Sequence, residues 1–153
     1  NIDPANPEAA IEFGTPFSGR PDKLKITYRY TPGAVNKDKP GNVLPFSDAC
    51  DIYALLEVRL NGNVERLGTA WFRSEDTQEE MLTIEIPFTY GALDASFPNY
   101  MQPDNNLYVD PLSVDFILPT HITFVASSSF DGANFAGAVG SLLVVDNVEM
   151  VYE

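Results

Sequence analysis

An all-β domain folded as a two-sheet sandwich is the architecture this sequence predicts, on three observations. Apolar and polar residues alternate one by one in several separate stretches. Twelve Pro and ten Gly punctuate the chain between those stretches. No segment sustains an apolar helical stripe over three turns. The 153 residues, 44% of them hydrophobic, are enough for one domain with a buried core and too apolar for disorder.

The elements follow in chain order. Residues 1–10 are rich in Pro, Asn and Ala and read as a linker or arm, with a possible edge strand starting near Ile11–Phe13. In Leu24–Tyr30, Leu24, Ile26, Tyr28 and Tyr30 share one face. In Ile52–Leu60, Ile52, Ala54, Leu56, Val58 and Leu60 share one face, and Tyr53, Leu55, Glu57 and Arg59 the other. Asn61-Gly62-Asn63 is a hairpin signal, because Asn and Gly accept positive φ, so Val64–Phe72 should return antiparallel. Met81–Phe88 alternates again, and Pro87 disfavours a central position late in that strand. Residues 91–113 read as a long excursion, of the kind that is functional or an insertion. Val114–Leu118 is a possible strand, and His121–Ser127 and Leu142–Tyr152 are the last two clear ones.

Charge narrows the function. Nine Lys+Arg stand against 22 Asp+Glu, a net charge of −13. All nine basic residues lie between Arg20 and Arg73, so residues 74–153 carry the whole excess, which argues against nucleic acid and against docking on anionic lipid. No apolar run is long enough to span a bilayer, so direct membrane insertion is not expected. The chain begins Asn-Ile-Asp without a signal peptide and is read as a processed or excised piece of a longer protein.

Catalytic constellations are thin. One His and one Cys exclude a His-rich metal centre and a disulfide framework. Ser127-Ser128-Ser129 follows His121 closely, but a triad also needs an orienting carboxylate and an oxyanion hole; the other reading is a strand end whose hydroxyls satisfy loop amides. Glu75-Asp76 and Glu79-Glu80 are adjacent pairs, which a strand points to opposite faces, and they suit a solvated hairpin better than a glycosidase pair. Cys50, between Asp48 and Asp51, has no cation near it in sequence and reads as a buried, inert thiol. Asp104, Asn105, Asn106, Asp110 and Asp115 offer oxygen ligands without the spacing of a calcium loop. Sugar chemistry fits better, since pyranose C–H faces stack on flat rings while polar groups fix the hydroxyls. Trp71, the only Trp, is one candidate ring; Tyr28, Tyr30, Tyr53, Tyr90, Tyr100 and Tyr108 are others. Tyr53 shares its face with Glu57 and Arg59, so Trp71, Tyr53, Glu57 and Arg59 are the expected ligand-binding residues.

The C-terminal third carries a pattern of its own: Ser127-Ser128-Ser129, Gly132, Phe135, Gly137-Ala138, Gly140-Ser141, then an apolar run holding Asp146 and Val148. It resembles the putative carbohydrate metabolism domain of Bacteroidales surface lipoproteins. Phe17–Leu24, Tyr28–Gly33 and Ile86–Tyr90 resemble earlier parts of that family, so the likeness spans residues 13–152. The resemblance implies a galactose-binding-like jelly-roll sandwich, an exported cell-surface protein, and a non-catalytic glycan-binding or glycan-associated role in carbohydrate utilisation. The partner would be a glycan or polysaccharide, with neighbouring domains of the same protein beside it. It also implies a structural Ca2+ held by Asp146 of the last strand with Glu12. Read from the residues alone, Gly132, Gly137 and Gly140 permit tight turns, Phe135 plugs one end of the sandwich, and Asp146 either has such a partner or accepts backbone amides at an exposed position. The alternative function is a structural or protein-interaction domain with no sugar site. An enzyme ranks third.

Overall fold

The computed structural model describes residues 14–153. The arm at 1–10, the strand start near Ile11–Phe13 and Glu12 lie outside the described residues. The strands are β1 (Thr15–Pro16), β2 (Lys23–Thr31), β3 (Asn36–Lys37), β4 (Cys50–Leu60) and β5 (Asn63–Ser74), followed by β6 (Gln78–Pro87), β7 (Thr89–Tyr90), β8 (His121–Ser127), β9 (Gly137–Ala138) and β10 (Leu142–Val151). They form a five-stranded sheet in the order β1-β8-β4-β5-β7, a three-stranded sheet β10-β2-β6, and a small pair β3-β9. Every strand pairing is antiparallel. The chain crosses between the two larger sheets after β1, β2, β5, β6 and β8, and this gives the expected β-sandwich.

The alternation sets which faces meet. Leu24, Ile26, Tyr28 and Tyr30 of β2 and Ile52, Ala54, Leu56 and Val58 of β4 are buried in one core between the sheets. Burying a side chain of the Leu or Ile class is worth about 1.5–3 kcal/mol over leaving it in water, so these rows fix which face of each strand points inward. Leu60, the last of the β4 row, is 61% exposed, because it already stands at the hairpin turn. Asn61 (φ 52°) and Gly62 (φ 79°) form that turn, both left-handed as a two-residue hairpin of this type requires. Pro87 pairs with Lys23 at the end of β6, an edge strand where its missing N–H costs no ladder bond on the open side.

One irregularity decides the position of Trp71. Near the turn, Glu57 pairs with Arg66; beyond a bulge at Leu67, Leu56 pairs with Gly68 and Tyr53 with Trp71. Leu67 stays in the core opposite Leu56, and the extra residue shifts the register beyond it by one, so Trp71 turns to the outer face of the sheet.

Two expectations are corrected. Val114–Leu118 is not a strand. Pro111 and Pro119 flank it, its turns close through Ser113 N–H to Asp110 O and Phe116 N–H to Ser113 O, and Arg20 Nη1 takes the Val114 and Ile117 carbonyls at 2.8 and 3.1 Å. Phe135 does not plug the sandwich: it is 71% exposed at φ 58°, with Lys39 Nζ 4.8 Å from its ring centroid.

Gly33 of the family-like opening is fixed by close approach. A Cβ there would stand 2.4 Å from the Val139 carbonyl oxygen, which is backbone and cannot swing aside. Gly33→Ala should cost about 1–3 kcal/mol as overpacking, readable as a lower urea midpoint with an unchanged slope.

Candidate functional site

The outer face of the five-stranded sheet carries the polar and aromatic chemistry. Its rungs from β4 to β5 are Asp51–Arg73, Tyr53–Trp71, Leu55–Thr69 and Glu57–Arg66. The excursion 91–120 folds against this face through Arg66, whose backbone N–H donates to Leu107 O and whose carbonyl accepts from Val109 N–H. Arg66 is 6% exposed, and its guanidinium donates to Thr69 Oγ1 at 3.0 Å and Met101 O at 2.8 Å. Burial pushes its proton affinity down, and nearby Glu57 opposes that.

Met101 carries Tyr100 with it, and Tyr100 completes a cluster at the far end of the face. Asp51, 3% exposed, is the hub. Trp71 Nε1–H donates to its Oδ1 at 2.8 Å, Arg73 Nε–H reaches the same oxygen at 3.4 Å, and Tyr100 O–H donates to Oδ2 at 2.8 Å. Burial holds the Asp51 carboxyl above the usual carboxylate range; the Trp71 and Arg73 donors pull the other way without cancelling it. The Arg73 guanidinium carbon lies 4.2 Å from the Phe130 ring centroid, 5.0 Å from Tyr100 and 5.4 Å from Trp71. Phe97 stacks at a tilt on Trp71, centroids 5.7 Å apart. The result is an aromatic surface stiffened from beneath, with Tyr100 48% exposed. Such a surface can stack sugar rings, and the Tyr100 hydroxyl can accept from their hydroxyl groups.

The expected site residues divide. Trp71 and Tyr53 are neighbours across β5 and β4. Glu57 and Arg59 lie further toward the hairpin turn on the same face, paired at 2.9 Å, with Thr123 Oγ1 donating to Glu57 Oε1 at 3.2 Å. Tyr28 and Tyr30 belong to the core. Tyr100, one of the candidate rings, joins the cluster; Asp51, Arg73, Phe97 and Phe130 carry no sequence signal, because the bulge and the excursion that gather them leave no local pattern.

Asp146 is exposed on the edge strand β10, its Oδ1 accepting the Asn147 N–H at 2.8 Å beside a bulge. Among the described residues no three acidic, His or Cys side chains gather as an ion's donor set. The described residues therefore supply one carboxylate of the implied calcium pair and no cage around it.

The Ser-rich pattern has a structural centre. Asp48, 1% exposed, accepts Ser129 Oγ–H at 2.5 Å, Ser141 Oγ–H at 2.7 Å and Ala138 N–H at 3.0 Å on Oδ2, and Ala49 N–H at 2.9 Å on Oδ1. Ser127 Oγ bonds within its own turn to Ser129, and the His121 ring bonds Thr120. Gly140, at φ 90°, makes the turn into β10. Cys50 is fully buried, its thiol pushed up to about 11 by burial, the inert state expected.

The antiparallel sheets define a β-sandwich domain with an aromatic and polar outer face on the larger sheet. The chain matches the family described as putative carbohydrate metabolism domain over residues 2–151, and it belongs to that family. Two solved structures are similar. One, a putative glycoside hydrolase from Bacteroides thetaiotaomicron, aligns at a TM-score of 0.72 and 25% identity over 97% of this chain and 43% of its own. The other, a putative glycoside hydrolase from Bacteroides vulgatus, aligns at 0.67 and 25% identity over 95% of this chain and 57% of its own. This chain thus spans about half the length of each. No curated protein matches it. No helix among the described residues is long and apolar enough to cross a membrane.

Proposed function

We propose that this domain is a non-catalytic glycan-binding module of an exported, surface-located protein of carbohydrate utilisation. The observation that carries the reading is the cluster on the outer face, where Trp71, Phe97 and Tyr100 are held around Arg73 and the buried Asp51. Both Asp51 oxygens are already engaged and the group is buried, so it supports the rings and is not placed to attack a glycosidic bond. A carboxylate in that role needs to reach substrate.

The test is retardation of the folded domain in gels containing a panel of plant, host and microbial polysaccharides, with calcium and then with chelator. At least one polysaccharide should retard it, and Trp71→Ala should weaken that affinity about tenfold or more, since the variant loses the apolar contact of the indole ring with the sugar C–H face. Loss of retardation in chelator would place an ion in or beneath the site. No retardation by any polysaccharide would sink the reading.

A second reading is a domain that holds a neighbouring domain or partner protein. It is favoured by a groove of about 380 Å3 along β8 and β10, lined by Ala126, Ser128, Ser141, Leu142, Leu143 and Val145, in a chain half as long as its solved neighbours. Retention of a glycan is not expected in that case.

A further inference from the structure

We propose that the pocket between β7 and the 91–120 excursion is a subsite for one uncharged pyranose ring, separate from the Trp71 cluster; the proposal rests on the carbohydrate reading above. The pocket holds about 250 Å3 and is lined by Tyr90, Tyr108, Val109, Pro111, Val114 and Asp115. That lies just below the ~300 Å3 at which pockets for drug-sized ligands begin, so it suits a single ring.

The walls are fixed without a ligand. Tyr90 O–H donates to Pro21 O at 2.5 Å. Tyr108 O–H donates to Gln102 Oε1 and accepts the Leu93 N–H at 3.3 Å. With both hydroxyls engaged, the two tyrosines line the pocket with their rings; Arg20 already covers one face of Tyr90, so Tyr108 is the ring left for pyranose C–H groups to stack on. The polar complement stands beside them. Arg20 is anchored by the Val114 and Ile117 carbonyls, and its guanidinium carbon lies 4.1 Å from the Tyr90 ring centroid. Its Nη2 makes a loose ion pair with Asp115 Oδ1 at 4.0 Å, beyond hydrogen-bond distance, so the Asp115 carboxylate, which lines the pocket, keeps acceptor capacity for a ligand. The two oxygens of that carboxylate can accept from vicinal sugar hydroxyls. Asp115 in the wall, on a chain of net charge −13, disfavours an acidic sugar.

The test is a nitrogen–proton NMR titration of the 15N-labelled domain with D-galactose, D-glucose, D-mannose and L-fucose. At least one should saturably shift the Gly91, Ala92, Val109 and Val114 amides while the Trp71 indole resonance stays in place. Asp115→Asn, at a side chain 85% exposed, should weaken that binding at least fivefold at unchanged melting temperature. Equal affinity in the variant, shifts confined to Trp71 and Tyr100, or no shift with any of the four sugars would overturn the proposal. A polysaccharide that still moves Trp71 would then leave the wider glycan reading standing; silence there too would remove both.

Discussion

Asp48→Ala is expected to be the most destabilising single substitution outside the apolar core, at about 3–5 kcal/mol. The carboxylate receives four donors from three separate stretches: Ala49 beside it, Ser129 after β8, and Ala138 and Ser141 before β10. Removing it strands those donors in a site that is 1% exposed. Each stranded donor costs about 1–3 kcal/mol, and the costs are not additive. Asp48→Asn keeps the volume but turns an amide NH2 toward groups that themselves donate, so it should recover only part of the loss. Thermal unfolding checks this. At ~2–4 °C per kcal/mol for a domain of this size, the alanine variant should melt roughly 10 °C or more below wild type. A shift of a degree or two would show that the Ser-rich pattern does not converge on Asp48 in solution.

The second large effect concerns Asp51 and depends on pH. Burial raises the carboxyl of the folded protein above its ordinary value of 3.8. Over the window from that value up to the folded one, the native state binds more protons than the unfolded chain. The contribution of Asp51 to stability is therefore fully present below 3.8 and is lost as pH rises through the folded value. Asp51→Asn removes this titration. Wild type minus Asp51→Asn stability should fall as pH rises through the window and then level off. Asp51→Ala acts differently: it leaves Trp71 Nε1–H and the Tyr100 hydroxyl without their acceptor. It should weaken glycan retention about as strongly as Trp71→Ala, because the rings lose their support. A pH-independent difference between wild type and Asp51→Asn would contradict the assigned cause, and retention unaffected in Asp51→Ala would separate Asp51 from the site.

Much of the framework is legible in the sequence because it depends on local alternation. The apolar rows of β2 and β4, the Asn61-Gly62 turn and the strands His121–Ser127 and Leu142–Val151 all follow from side chains two residues apart sharing a face. What escapes is what depends on register and on loops. Counting back from the turn without a bulge sets Phe72 opposite Asp51 and sends Trp71 inward; the bulge at Leu67 sets Arg73 there instead. Val114–Leu118 has strand-like composition, yet its carbonyls are satisfied by Arg20, remote in sequence. Tyr100 meets Asp51 only because Arg66 pins the excursion at Met101. Asp48 stands in the sequence merely as a neighbour of Cys50, since three of its four partners are 81 to 93 residues away.

Trp71 is the only tryptophan, so its fluorescence reports on the proposed site alone. The decisive measurement is a titration of that emission with the polysaccharide that retards the domain most strongly. Binding on the outer face predicts a saturable change in intensity or wavelength, with a midpoint matching the retardation constant. Full retention of the polysaccharide with no change in Trp71 emission would contradict the account and place the glycan elsewhere on the sandwich.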